Sequence, residues 1–249
     1  MLSQSRRLLD PKTMIGTRTV HRISCGCGVE LHCGWVRPLG VERGSTSPCV
    51  LIAHSRGGSM EEPLIAQLCN TANLCTLAVM RFNFRGHDRT KGEATKEGLG
   101  ERGDAIAVVK EVLRFFPSTV IIGIDYGAMI MGSILRESVL KGRLAGFCSI
   151  AYPCDRLIEY SPTYHSRFVS EFVSFTSDAR SLPNWDSRIA MIHCRPSLSP
   201  SEKVLYDALQ TSPAVLTTPR AVNEYAGAWL SRCSGQQFDD RKELLGFRQ

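Results

Sequence analysis

The chain has 249 residues, 43% of them hydrophobic, which suits one compact domain with a sizeable core. Its formal net charge is +6 with Lys and Arg spread along the sequence, a mild excess that permits an acidic partner or an RNA-rich assembly without demanding either. No window approaches about 18 uninterrupted apolar residues, so no membrane span is read, and the ten cysteines, several in apolar runs, suit buried thiols in a reducing, intracellular compartment better than a disulfide framework.

Residues 1–18 read as an N-terminal extension. Arg6, Arg7, Arg18, several hydroxyl residues and the acid Asp10 give it the composition of a weak mitochondrial targeting segment; the alternative is a frayed, solvated terminus with a cytoplasmic protein behind it. Residues 19–25 and 29–37 then predict a β-hairpin around Gly26-Cys27-Gly28. Cys25, Cys27, His32 and Cys33 cluster there, but they alternate along strands instead of pairing in knuckles, so no metal site is assigned.

After a Gly/Ser/Pro connection the pattern changes. Residues 49–53 are a fully apolar strand, 62–73 a helix, 77–84 a strand, 85–97 a charged loop and 104–115 an amphipathic helix. Strand 120–123, helix 127–140 and strand 144–150 follow. Residues 153–187, rich in Ser, Tyr and Phe, break the rhythm and predict an irregular or helical excursion over the sheet edge. Strand 189–193, helix 201–209, strand 214–217 and helix 222–233 complete the pattern before a polar tail at 236–249. Alternating strands and helices predict one α/β domain over 19–235, a mostly parallel doubly wound sheet with an N-terminal antiparallel hairpin and ligand sites at strand C-termini.

Four local sequences carry a resemblance. They are Leu51-Ile-Ala-His54-Ser-Arg56-Gly57-Gly58-Ser59-Met60; Val79-Met-Arg-Phe-Asn83-Phe84-Arg85-Gly86 followed by Gly92-Glu93; Gly100-Glu101-Arg-Gly-Asp104; and Ile122-Gly123-Ile124-Asp125-Tyr126-Gly127-Ala128. In this order, over about residues 19–153, the chain resembles the α/β-hydrolases, in particular the small capless group of dienelactone-hydrolase-like and predicted-esterase proteins. The resemblance implies the α/β-hydrolase fold, an oxyanion loop at His54, Arg56, Gly57 and Gly58, and a nucleophile elbow at Gly123–Gly127, with Tyr126 beside the site.

The elbow centre is Asp125, where acyl transfer requires Ser or Cys activated by a His that an acid orients. A carboxylate nucleophile serves haloalkane dehalogenases and epoxide hydrolases of this fold, but turnover still needs a general base. The resemblance puts Ser197 near the acid position and Asn223 near the histidine position, and no His occurs after His193. All three triad positions are therefore expected to be substituted.

The other histidines have milder readings: His54 as a loop-ordering residue, His87-Asp88 as a solvated surface pair, His193 as a core residue, with His165 a weaker candidate for a base reaching down from the excursion. Arg56 beside Asp125 suggests an ion pair that fills the oxyanion space. The leading expectation is a non-catalytic pseudo-hydrolase, a binding or structural subunit of a larger protein assembly such as a mitochondrial complex, with no cofactor. The alternatives are an active esterase-, epoxide-hydrolase- or dehalogenase-like enzyme using Asp125 as nucleophile, and a small-molecule carrier or sensor.

Overall fold

A computed structural model of the chain describes residues 16–26, 28–38, 46–179, 188–194, 214–215 and 219–234. The expected helix 201–209, Ser197, Cys27 and the tail 236–249 lie outside the described residues.

The strands are β1 (Thr17–Ser24), β2 (Glu30–Arg37), β3 (Cys49–Ala53), β4 (Val79–Phe82), β5 (Thr119–Ile124), β6 (Leu144–Ile150), β7 (Ile189–His193) and β8 (Ala214–Val215). The helices are α1 (Pro63–Leu74), α2 (Leu99–Phe115), α3 (Tyr126–Ser133), α4 (Leu157–Tyr160), α5 (His165–Ala179) and α6 (Pro219–Ser234), with short 3-10 turns at Ser138–Leu140 and Cys154–Arg156.

One eight-stranded sheet runs β1-β2-β4-β3-β5-β6-β7-β8. β1 and β2 pair antiparallel, β2 joins β4 antiparallel, and every later pair is parallel. The parallel strands are apolar throughout because both sheet faces are covered: β3, β4 and β5 have every residue buried. One core layer joins the sheet to α2, α3 and α5 through Met80, Phe82, Val109, Ile130 and Phe172. The other joins it to α1 and α6 through Ile52, Ile65, Leu68, Ile122 and Trp229.

Two helices differ from the sequence expectation for local reasons. α2 begins at Leu99, five residues before the predicted start. Residues 99–103 lack apolar periodicity, but Thr95 N–H donates to Glu101 Oε1 (2.8 Å) and Gly100 N–H to Thr95 Oγ1 (3.1 Å), so reciprocal capping starts the helix early. The single helix predicted over 127–140 stops at Ser133. There the Ser133 hydroxyl donates back to Ile130 O (2.7 Å) and the next N–H bond tightens to Ile134 N–H on Met131 O (3.3 Å).

Candidate functional site

β5 ends at the middle of the sheet and turns directly into α3. At this turn Asp125 adopts φ 51°, ψ −115°, a conformation that L side chains rarely occupy. Its N–H donates to Ile150 O on β6 (2.8 Å), and its carbonyl accepts from Ala128 N–H (2.9 Å). A Cβ on Gly123 would stand 2.5 Å from the Ala128 Cα, and one on Gly127 would stand 2.6 Å from the carbonyl oxygens of Ala53 and His54. These glycines let strand, helix and the loop after β3 meet, which is why the elbow is legible in sequence.

The Asp125 carboxylate is buried, with both oxygens engaged. Arg156 donates from Nη2 to Oδ1, and the Tyr160 hydroxyl donates to Oδ2 (2.9 Å). Burial and the neighbouring carboxylate push the Tyr160 hydroxyl up to about 12, so it stays a donor. Both residues come from the segment after β6, whose exit is fixed by Ala151 at φ 52° and its N–H on Ile192 O (2.8 Å).

The ion pair on Asp125 is thus made by Arg156 instead of the expected Arg56. Arg56 is exposed, donates from Nη1 to Glu159 O (3.3 Å), and lies 4.8 Å from the Tyr160 ring centroid and 5.6 Å from that of Tyr126. The reason is reach. Arg156 and Tyr160 are one helical turn apart on the same short segment, and both face the elbow. That i, i+4 spacing was the available sequence signal, hidden in a stretch with no other motif.

The loop after β3 is satisfied internally. Ser55 Oγ and Ser59 N–H both donate to Glu62 Oε1 (2.9 and 3.3 Å), Gly58 N–H to Ser55 O (3.2 Å) and Met60 N–H to Asn83 Oδ1 (2.7 Å). A Cβ on Gly58 would lie 1.5 Å from Glu62 Oε1, so a side chain there would displace the Glu62 carboxylate from these bonds. Three successive N–H groups therefore point at protein acceptors.

His54 is fully buried and bonded to backbone at both ring nitrogens: Nδ1 lies 2.6 Å from Ser55 O, and Nε2 accepts the Phe84 N–H (3.1 Å). Its Nε2 lone pair is therefore occupied, and burial pushes its pKa down to about 4. The neutral ring ties the loop after β3 to the loop after β4.

The predicted His87-Asp88 pair separates. Asp88 accepts from Asn83 Nδ2 (3.0 Å), while the half-buried His87 ring sits edge-on to His54 at 5.0 Å. The Arg85-Gly86 and Gly100-Glu101 motifs meet for another reason: Arg85 grips the buried Asp104 through Nε (3.0 Å), Nη2 (2.6 Å) and its own N–H (3.1 Å). His165 bonds within its own turn at the start of α5, and His193 is buried at the end of β7. Asn223 lies within the helix expected at 222–233. α6 already starts at Pro219, and Asn223 Nδ2 donates to Gln67 Oε1 on α1 (2.7 Å). Cys25 and Cys33 share the α2 face of the hairpin whereas His32 turns to the other, and among the described residues no His, Cys, Asp and Glu group converges on a metal position.

No family model and no curated protein sequence matches the chain. Solved structures do. An esterase of Pyrococcus furiosus matches at TM-score 0.64 and 19% identity over 88% of this chain and 94% of its own. A Xanthomonas campestris α/β serine hydrolase described as lacking a lid matches at TM-score 0.62 and 16% identity over 90% and 99%. Est1E of Butyrivibrio proteoclasticus, solved with ferulic acid, matches at TM-score 0.67 and 12% identity over 87% and 100%. The fold is that of the α/β-hydrolases. At these identities the likeness extends to the fold alone, and the elbow chemistry rests on this chain's own residues.

Proposed function

We propose that this chain is a non-catalytic α/β-hydrolase-fold protein, a binding or structural subunit, in which the elbow carboxylate pins the segment after β6 to the sheet. The observation that carries the reading is that both Asp125 oxygens are engaged, one by Arg156 and one by Tyr160, with no imidazole among their partners in the described residues. A carboxylate nucleophile needs a free oxygen aimed at its substrate and a base to activate water. Here the aimed positions are filled, and the buried His54 offers no free nitrogen.

The test uses short-chain p-nitrophenyl esters and styrene oxide with the purified full chain. The expected result is no saturable turnover, together with a lower melting temperature for Asp125→Asn. Saturable turnover that Asp125→Asn abolishes, at unchanged melting temperature, would refute the proposal.

A second reading, an active hydrolase with Asp125 as nucleophile, draws on His87. Its ring lies beside His54 and, among the described residues, accepts or donates no side-chain hydrogen bond. Under that reading His87→Gln and Asp125→Asn each remove the same turnover.

A further inference from the structure

The outer edge of the sheet carries features that the elbow does not use. β1 pairs with β2 over eight continuous registers, with no bulge and no proline. Asn83 N–H donates to His32 O, so the backbone of His32 turns toward β4 and, by alternation, that of Cys33 turns toward β1. Cys33 is opposite His21, so the odd residues of β1 bond to β2. The N–H and C=O groups of Arg18, Val20, Arg22 and Ser24 therefore point outward along an edge that, among the described residues, no other strand pairs with. Val20 is 69% exposed.

The two faces beside this edge differ. Arg18 and Arg22 project on one, with Glu30 only 4.0 Å from Arg22 at the nearest approach. On the other face, a cleft of about 50 Å³ opens between His21, Trp35, Arg37, Phe115 and Phe116. Its aromatic wall is packed, Trp35 lying 5.6 Å from Phe116, and the Arg37 guanidinium lies 5.6 Å from the Trp35 ring. Glu111 is already bonded to His21 (3.1 Å) and Arg114 (2.9 Å). Among the described residues, Arg18, Arg22 and Arg114 against Glu30 and Glu111 leave the edge net positive.

We propose that the free edge of β1 is a docking strand for an acidic, extended segment of a partner protein. The segment's alternate acids meet Arg18 and Arg22, while its intervening apolar side chains face the His21–Trp35 cleft. Period-two alternation of acid and apolar residues is what this pair of faces selects, and main-chain bonds to Arg18, Val20 and Arg22 supply the register. Self-pairing of two copies about Val20 would set Arg18 opposite Arg22, a like-charge contact that disfavours a dimer here. The proposal gives the binding reading a partner class, yet it concerns a surface remote from the elbow, so either can fail alone.

The test is fluorescence anisotropy with the full chain and a fluorescein-labelled, end-blocked peptide of sequence Ser-Glu-Leu-Glu-Val-Glu-Ser, with Lys replacing Glu in a control. Saturable binding of the acidic peptide alone is expected, weakened at least tenfold in the double variant Arg18→Glu/Arg22→Glu and by added salt. Val20→Pro removes an outward N–H at an edge position that tolerates proline, and it should abolish binding with a retained thermal transition. Asp125→Asn should leave binding unchanged. No binding by the parent chain, equal binding of the Lys peptide, indifference to the arginine reversal, or self-association through β1 in place of peptide binding would each overturn the proposal.

Discussion

Asp125 combines an unfavourable backbone conformation with two favourable side-chain contacts, and these can be separated by substitution. Asp125→Ala keeps the positive φ and loses both Arg156 and Tyr160. Because Arg156 remains nearly half exposed, the pair is partly screened, and the expected loss is about 2 kcal/mol in urea unfolding. Asp125→Gly loses the same contacts but relieves the backbone, so it should be milder by about 1 kcal/mol. If the two variants unfold alike, strain is not stored at the elbow. His54 gives a pH signature. Burial holds its folded pKa near about 4, below the usual 6.5. Between these values the unfolded chain binds the extra proton, so stability is full above about pH 6.5 and falls as pH drops toward 4, by up to ~3 kcal/mol. His32 is lowered in the same sense, chiefly by burial. The unfolding midpoint should therefore decline on acidification across that window, and His54→Gln should flatten the decline.

At the scale of elements, the junctions decide stability more than the strands do. Gly127→Ala would press a methyl against the Ala53 and His54 carbonyls, both backbone atoms that cannot swing aside. A loss of roughly 3 kcal/mol, or failure to accumulate folded protein, is expected in a thermal melt. The β4 loop and α2 are joined by Arg85 on Asp104, whose carboxylate is fully buried. Asp104→Leu strands a guanidinium and should cost about 3 kcal/mol or more, whereas Arg85→Met/Asp104→Leu should recover part of that loss; a double-mutant cycle reads the difference. These junctions were readable as motifs because each needs a fixed residue type: glycine where backbones touch, Arg and Asp where a buried charge must be paired. Helix limits were less readable. The early start of α2 depends on Thr95 and Glu101 capping each other, and the stop at Ser133 on one hydroxyl, features with no periodic trace.

For the molecule as a whole, the cysteines among the described residues are free thiols, most of them in the two core layers, and burial pushes that of Cys69 up to about 12. A thiol reagent should label Cys194 and Cys233 before the buried set, and reductant should leave the melting temperature unchanged. Among the described residues no helix is long and apolar enough to cross a membrane. The alternation of apolar strands and helices, the hairpin at the start, and the aspartate in a glycine-flanked elbow are all written in the amino-acid order, because local chemistry and period fix those. The partners of that aspartate come from the packing of distant segments. Arg156 and Tyr160 lie 31 and 35 residues beyond Asp125, and a contact at that separation is set by how the chain leaves β6 at Ala151, not by any local pattern. The same holds for the Asn223 side chain, whose partner Gln67 lies on the distant α1. Long-range packing thus made the aspartate of that elbow a buried, partnered carboxylate.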